Sequence, residues 1–279
     1  GALVLVSSFA TGCQSSPSPE PGSPQQQTII IGVPEGDLTG VDLGVHQLVR
    51  NLTLEGIATV SSNGRPAPRL AASWEWEEDR HRLVVRLREN VQLHDGRRLT
   101  AGLIAASLSK AVRSPGNRMA YPTLLDVDAV RATGDLEVLI DLKRPSALLL
   151  DDLDVPLSFA GENGDAGSGA YRVASDTNDE IILEGHSGYY LGAPRIGRVI
   201  IRPYKELRAA WVSLLRRDID MVTNVPHDAL AFLDARQVQI LSFLRPYQFL
   251  IAFNSARRPF TSPVVRRAAL NASICSSLI

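Results

Sequence analysis

The chain has 279 residues, a formal net charge of −1 and an apolar fraction of 44%. This is the composition of a globular protein of about two domains. Its lysine and arginine residues are scattered instead of clustered, so the charge pattern does not indicate nucleic-acid binding. No apolar stretch reaches the roughly 20 residues that a membrane-spanning helix needs.

The N-terminal stretch predicts a leader followed by a tether. Residues 1–12 are mostly apolar, and small residues lead into Cys13. This is typical of the end of a signal peptide and resembles the lipobox of bacterial lipoproteins; the alternative is a buried strand that ends at a free cysteine. Residues 14–27 are rich in Pro, Ser and Gln and predict a disordered tether. The layout favours lipidation of Cys13, which would leave Cys275 without an intrachain disulfide partner.

The globular part is predicted to begin at Thr28. A β-branched run over residues 28–33 predicts a buried strand. The next segment has apolar residues at helical spacing. They are Val45, Leu48, Val49 and Leu52. His46 lies on the same helix without a second histidine at metal-ligand spacing, so we interpret it as an ordinary helix residue.

Residues 73–111 predict a hairpin, a corner and a helix. In the second arm of the hairpin, apolar and arginine side chains alternate, as in a half-buried antiparallel strand with a polar outer face. The alternating residues are Arg82, Leu83, Val85, Arg86, Leu87 and Arg88. Asp79-Arg80 is the predicted turn. Thr100 is predicted to cap the helix, whose buried stripe would consist of Ile104, Leu108 and Ala111.

The corner His94-Asp95-Gly96 invites a catalytic interpretation. A Ser-His-Asp triad also needs a serine at an exposed elbow, and no G-x-S-x-G motif occurs in the chain. Asp-Gly is a common turn dipeptide, because the Asp carboxylate folds onto the backbone and Gly accepts a positive φ. We therefore predict that His94 is structural.

Further motifs follow downstream. Alternation over residues 136–142 predicts a strand that Pro145 ends. The glycines of residues 167–169 are not a phosphate loop, since no Gly-Lys-Ser/Thr follows and a strand comes next. Ser262 and Pro263 are predicted to open the last helix. An earlier helix is predicted to bury Leu207, Ala210, Trp211, Leu214 and Leu215.

In this order, the motifs resemble those of the family 5 solute-binding proteins of bacterial ABC importers, the oligopeptide-, dipeptide- and nickel-binding type. The chain departs from the family pattern at Leu103, where aspartate is usual, and at His186, where asparagine is usual. The segments that carry the resemblance are Leu70-Ala71, Ser73-Trp74-Glu75, Leu87-Arg88, His94-Asp95-Gly96, Leu99-Thr100-Ala101, residues 167–173, Tyr189-Tyr190, Pro194, Ile196 and Val199.

The resemblance implies an α/β, periplasmic-binding-protein-like fold of type II, cluster C, with two lobes. The first lobe and an extra β-rich domain would be present, and most of the second lobe would be missing, so we expect a fragment of a longer protein. The implied divisions are leader and lipobox 1–13, tether 14–27, lobe one 28–56 with 167–253, β-rich domain 57–166, and hinge with the first helix of lobe two 254–279.

The resemblance also implies a function without covalent chemistry or a cofactor. A monomer, held outside the cytoplasm by lipid on Cys13, would capture a peptide or other small solute in a cleft and deliver it to the membrane permease of an ABC importer. Backbone hydrogen bonds to an extended peptide would supply affinity. The positions implied to face the ligand, each of which could instead be plain loop or core, are Val41, Asp42, Leu43, Thr223, Asn224, Tyr247, Gln248 and Phe249.

Two other classes of function compete with solute capture. A lipoprotein of the same fold could act in sensing or scaffolding without transport, and the sequence does not separate this class from an importer component. An extracytoplasmic hydrolase would need a nucleophile with a base, or a metal cluster. None of the five histidines shows metal-ligand spacing, so we expect no metal and no enzymatic activity.

Overall fold

The structure is a computed structural model, and it describes residues 27–34, 44–162, 164–223, 238–241 and 253–276. The strands are β1 (Gln27–Pro34), β2 (Ala58–Val60), β3 (Pro66–Pro68), β4 (Ala71–Trp76), β5 (Arg82–Leu87), β6 (Val127–Ala132), β7 (Glu137–Leu142), β8 (Tyr171–Asp176), β9 (Ile181–Gly185), β10 (Ile196–Tyr204) and β11 (Met221–Val222). The helices are α1 (Val45–Thr53), α2 (Ala101–Arg113), α3 (Pro115–Ala120), α4 (Leu149–Asp152), α5 (Leu207–Leu215) and α6 (Pro263–Ser276), with a 3-10 turn at Pro122–Asp126.

Five strands form one sheet, called here the large sheet, in the order β11-β1-β10-β9-β8. β1 is parallel to both β10 and β11, whereas β9 is antiparallel to its neighbours β10 and β8. The predicted strand at residues 28–33 is therefore confirmed as the centre of the parallel part. Helix α1 packs on this sheet, and the side chains that share the core are Ile31, Val33, Leu48, Val49, Leu52, Leu183, Val199 and Ile201.

Four strands form a second, antiparallel sheet, called here the small sheet, in the order β4-β5-β7-β6. The predicted hairpin is confirmed, and Arg80 in its turn has a φ of +52°. Helix α2 covers the inner face with its predicted buried stripe of Ile104, Leu108 and Ala111. The buried residues of the sheet itself are Leu83, Val85, Leu87, Val138, Ile140 and Leu142. The outer face carries ion pairs, among them that of Arg82 with Asp141 (Nε to Oδ1, 2.9 Å). Alternation of side chains therefore separates core from solvent in this sheet, as the sequence predicts.

Helix α2 begins with a side-chain cap but has Leu103 at the position where the resemblance implies aspartate. The Thr100 hydroxyl accepts a hydrogen bond of 3.4 Å from the backbone N–H of Leu103, which confirms Thr100 as the N-cap. No acidic residue lies in the first turn of α2. The Leu103 side chain packs against the core instead. An apolar contact therefore takes the place of the second capping hydrogen bond that a carboxylate at this position could make.

Helix α5 corrects one prediction. Ala210 is fully buried and Leu214 is partly buried, but Leu215 is 51% exposed. The helix turns about 100° per residue, so Leu215 lies about 140° around the axis from Ala210 and points away from the sheet. The predicted stripe was one residue too long.

Residues 1–226 and 227–279 are two compact units. In the second unit, α6 begins at Pro263, as predicted. The Ser262 carbonyl accepts a 3.3 Å hydrogen bond from the N–H of Arg266, and the guanidinium of Arg266 donates to the carbonyl of Phe260. In the described part of the chain, no helix combines the length and apolar character required to cross a bilayer.

Gly96→Ala tests the corner. The residue has a φ of +85°, and a Cβ there would meet only Gln92 Nε2, at an ordinary contact distance of 3.9 Å. We therefore expect alanine to lower the free energy of unfolding by about 1 kcal/mol through backbone strain. Gly102→Ala, inside α2, is the matched control and should leave stability unchanged or raise it by up to about 1 kcal/mol. Urea unfolding followed by circular dichroism measures both. Equal destabilisation by the two variants would contradict the assignment.

Candidate functional site

Three strands of the large sheet end at the same edge. β1, β10 and β11 are parallel, so Pro34, Tyr204 and Thr223 lie together at their carboxyl ends. In open α/β sheets this edge is where ligands bind, because the connecting loops diverge there and leave a crevice. The carboxyl edge of the large sheet is therefore the candidate binding site in the described part of the chain.

Thr223 is the predicted ligand-facing residue that the structure places at this edge. Its backbone N–H donates a 3.1 Å hydrogen bond to the carbonyl of Gly32. Its hydroxyl oxygen is buried and has no hydrogen-bond partner among the residues that the structure describes. A buried hydroxyl without a partner costs free energy, so this group can gain from a polar partner at the edge.

Asp220 fixes the strand that carries Thr223. Its carboxylate accepts a 2.8 Å hydrogen bond from the N–H of Ile30, and its own N–H donates to the Ile30 carbonyl at 2.9 Å. β11 is only two residues long, and these two bonds hold it in register against β1. This role of Asp220 was not predicted from the sequence.

The other predicted positions lie outside the described residues. They are Cys13, Val41, Asp42, Leu43, Asn224, Tyr247, Gln248 and Phe249.

The corner at residues 94–96 is held by backbone contacts. The His94 N–H donates to the Gly167 carbonyl at 3.0 Å, and His94 Nε2 lies 2.9 Å from the Gly169 carbonyl oxygen. Asp95 accepts from the N–H of Arg97 at 3.1 Å, as its turn chemistry predicts. Burial lowers the pKa of His94 below its ordinary value. These contacts give His94 a structural role in joining the small sheet to the segment that leads into β8.

The glycine at position 167 is required by close approach. A Cβ built on it would collide with the Thr53 carbonyl and would lie 2.9 Å from His94 Cε1. Gly169 donates its N–H to the same Thr53 carbonyl at 3.0 Å. This segment therefore packs on the last turn of α1 and donates a hydrogen bond to a free carbonyl of that helix. The close packing explains the glycines without a bound phosphate.

A buried carboxylate lies where the chain passes from α1 towards the small sheet. The side chain of Glu55 is 3% exposed. Its Oε1 accepts hydrogen bonds from Arg69 Nε at 2.7 Å, from the Tyr189 hydroxyl at 2.7 Å and from the Tyr190 hydroxyl at 3.3 Å. Glu55, Arg69, Tyr189 and Tyr190 are called the Glu55 cluster below. It joins three segments that are distant in the sequence.

The electrostatics of the cluster follow from its burial. Burial, assisted by the hydrogen bond to Glu55, raises the pKa of Tyr189 to about 12, and burial likewise raises the pKa of Tyr190. Both hydroxyls therefore stay protonated and donate. Glu55 Oε2 is buried and lacks a partner among the described residues. The only sequence signal for this cluster was a glutamate between apolar residues in "LTLEGI", and sequence reasoning missed it.

In the parts of the chain that the structure describes, no group of three or more His, Cys, Asp or Glu residues could hold a metal ion.

The chain resembles known bacterial solute-binding proteins in sequence. A family model described as "Bacterial extracellular solute-binding proteins, family 5 Middle" matches residues 65–274. Among curated proteins, the glutathione-binding protein GsiB of Pectobacterium atrosepticum is 28% identical over 218 residues, which are 71% of this chain and 42% of GsiB. The protein named "Probable D,D-dipeptide-binding periplasmic protein DdpA" of Escherichia coli is 23% identical, covering 96% of this chain and 55% of DdpA. The chain thus spans about half the length of these relatives.

Solved structures agree in fold. MoaA of A. tumefaciens R10, crystallised with mannopinic acid, superposes with a TM-score of 0.70 at 21% identity. The match covers 87% of this chain and 54% of MoaA. At this identity the likeness concerns the fold alone, and it confirms the predicted α/β architecture over part of such a protein.

Glu55→Ala tests the Glu55 cluster. We expect the free energy of unfolding to fall by at least about 2 kcal/mol, because Arg69 and two tyrosine hydroxyls lose a buried charged acceptor. Glu137→Ala is the matched control: its exposed carboxylate lies 4.0 Å from Arg86 and accepts a hydrogen bond from the Thr133 hydroxyl. Because water can replace both partners, we expect a change within about 1 kcal/mol. Urea unfolding measures both. Similar small losses in the two variants would show that the cluster contributes little.

Proposed function

Since the chain belongs to the bacterial extracellular solute-binding proteins of family 5, we propose that it captures a small solute outside the cytoplasm for an ABC importer. The observation that carries this proposal is the family match over residues 65–274. The periplasmic-binding-protein-like fold supports it, because such folds bind without covalent chemistry, so the protein needs neither a nucleophile nor a cofactor. The solute would then pass to a membrane permease, with the binding protein acting as a monomer.

The carboxyl edge of the large sheet is the wall that we propose this chain contributes to the ligand site. Thr223 supports this placement, because its buried hydroxyl has no partner in the described part of the chain. The resemblance adds the loop after β1 at residues 41–43, Asn224 next to Thr223, and residues 247–249. A second wall would complete the site, because tight small-molecule sites bury most of the ligand surface.

We propose a peptide, or a solute of similar polarity, as the ligand. The relatives are named for glutathione and for a D,D-dipeptide, and the superposed structure was crystallised with mannopinic acid. All three names describe small polar molecules that carry carboxylate groups. Backbone N–H groups and a free threonine hydroxyl can donate hydrogen bonds to carboxylate or amide oxygens, which suits this class.

We further propose that Cys13 is the lipidated N-terminus of the mature protein. The support is the sequence alone: small residues precede Cys13, and a Pro- and Ser-rich tether follows it. A lipid anchor with a tether of this composition would let the folded part move beside the membrane near a permease.

Titration calorimetry tests the ligand class and the role of Thr223. The native protein, purified from its host, is titrated with glutathione, D-Ala-D-Ala, mannopinic acid and a mixed library of short peptides. We expect one of these probes to bind, and Thr223→Val to weaken that binding about 3- to 10-fold, as the loss of one hydrogen bond does.

Thr133→Val is the matched control for this titration. Its hydroxyl donates to Glu137 within a turn of the small sheet, so the same chemical change should leave affinity unaltered. Binding of no probe would contradict the proposed ligand class. Tight binding that Thr223→Val leaves unchanged would contradict only the assignment of Thr223.

Mass spectrometry tests the anchor. We expect the native protein, extracted from membranes, to begin at Cys13 and to carry the mass of attached acyl chains, and Cys13→Ser to abolish both features. Cys275→Ser is the control and should leave lipidation intact. A mature chain that still contains Ala10 in front of an unmodified Cys13 would overturn the proposal.

A further inference from the structure

Two histidines meet where the corner before α2 contacts the segments that precede β8 and follow β9. His94 lies in the corner before α2, and His186 follows β9. Their ring centroids are 5.3 Å apart, and the ring planes are inclined by 76°, so the edge of one ring faces the other.

Each ring donates a hydrogen bond across the contact. His94 Nε2 lies 2.9 Å from the Gly169 carbonyl oxygen, and His186 Nε2 lies 3.1 Å from the Gln92 carbonyl oxygen. A carbonyl only accepts, so Nε2 carries the proton in both rings. His94 therefore makes a hydrogen bond to the segment that leads into β8, and His186 makes one to the segment just before the corner. Gln92, His94, Gly167, Gly169 and His186 are called the histidine joint.

The joint suits neutral rings. The Nδ1–Cε1 edge of the His94 ring packs against Gly167, in the space that a side chain at position 167 would fill. A Cβ built on Gly167 would lie 3.0 Å from His94 Nδ1. A second proton on His94 would thus place an N–H against the Gly167 backbone. If both rings took up protons, two positive charges would face each other at the 5.3 Å separation of their centroids.

The charged groups around His94 come from three elements. His186 follows β9, Arg172 lies in β8, and Asp95 lies in the corner itself. Burial is the main cause that lowers the pKa of His94, and His186 and Arg172 lower it further, whereas the Gly169 carbonyl and Asp95 act in the opposite direction. Asp95 is already paired with Arg97 at 2.6 Å, so it offers little compensation.

We propose that the histidine joint is an acid-sensitive switch that holds the two sheets together at neutral pH and weakens as the pH falls. An opened or unfolded joint binds protons near the ordinary histidine pKa of about 6.5. In the closed joint, His94 takes up its second proton only at lower pH, because burial lowers its pKa. The contribution of the joint to stability is therefore complete above about pH 6.5 and decreases as the pH falls towards the lowered value.

Nuclear magnetic resonance provides the first test. The imidazole Cε1–H signals of the 279-residue chain are titrated. We expect His94 to titrate below the ordinary histidine pKa of about 6.5, and His186→Asn to move the midpoint of His94 upwards. A midpoint of His94 at or above about pH 6.5, or a midpoint that does not change in His186→Asn, would overturn the proposal. The wild-type titration decides even if a variant does not fold.

Hydrogen exchange provides the second test. The amides of His94 and His186 donate to the Gly167 and Ala170 carbonyls at the joint. After correction for the intrinsic pH dependence of exchange, we expect their protection to fall at least about tenfold between about pH 7.5 and about pH 5.5. His94→Gln keeps a donor at the Nε2 position without a titrating ring and should abolish this loss. His46→Gln is the matched control and should retain it; an equal loss in His94→Gln would refute the switch.

Discussion

Helix α1, which packs on the large sheet, is followed by the segment that leads towards the small sheet. The buried carboxylate of Glu55 lies at the start of this segment. It accepts hydrogen bonds from Arg69, Tyr189 and Tyr190, which belong to the entry into the small sheet and to the loop before β10. A carboxylate removed from water is tolerated only when charged and polar donors surround it. The relative position of the two sheets therefore depends on these donors meeting at one oxygen atom.

The histidine joint makes a second connection between the parts of the chain that carry the two sheets. Its hydrogen bonds involve no carboxylate, unlike those of the Glu55 cluster. Its bonds run from two imidazole rings to backbone carbonyls, and Gly167 gives the His94 ring its space. In the Glu55 cluster, burial raises the pKa of Tyr189 to about 12, so this hydroxyl keeps its proton over the ordinary pH range. Histidine is the side chain that changes charge near neutrality. We therefore place the response to acid in the histidine joint.

With the sheets held in place, the parallel strands define where a ligand can bind. β1 pairs with β10 on one side and with β11 on the other, so three strand ends share one edge. The Asp220 carboxylate secures β11 through the N–H of Ile30, and Thr223 follows directly. The function we propose needs little more from this part of the chain than a rigid wall that carries hydrogen-bonding groups, which agrees with a family that binds solutes instead of transforming them.

The sequence by itself determined the local elements and the family. Alternation in residues 82–88 and helical spacing in α2 set which faces are buried, because these periodicities follow directly from strand and helix geometry. The Asp95-Gly96 turn and the Thr100 cap were also predictable, since each depends on neighbouring backbone groups. The exposure of Leu215 was not predictable, because the width of a buried stripe depends on what the helix packs against.

Only the tertiary structure decided which distant residues meet. Glu55 and Tyr189 are 134 positions apart, and His186 reaches Gln92 across 94 positions. Periodicity carries no information about such contacts, because it reports the face on which a side chain lies and not its partner. The same holds for Thr223, whose place at the carboxyl edge results from the pairing of β11 with β1. The sequence therefore specified the elements and their buried faces. The contacts between distant polar side chains were decided by how these elements pack in the folded chain.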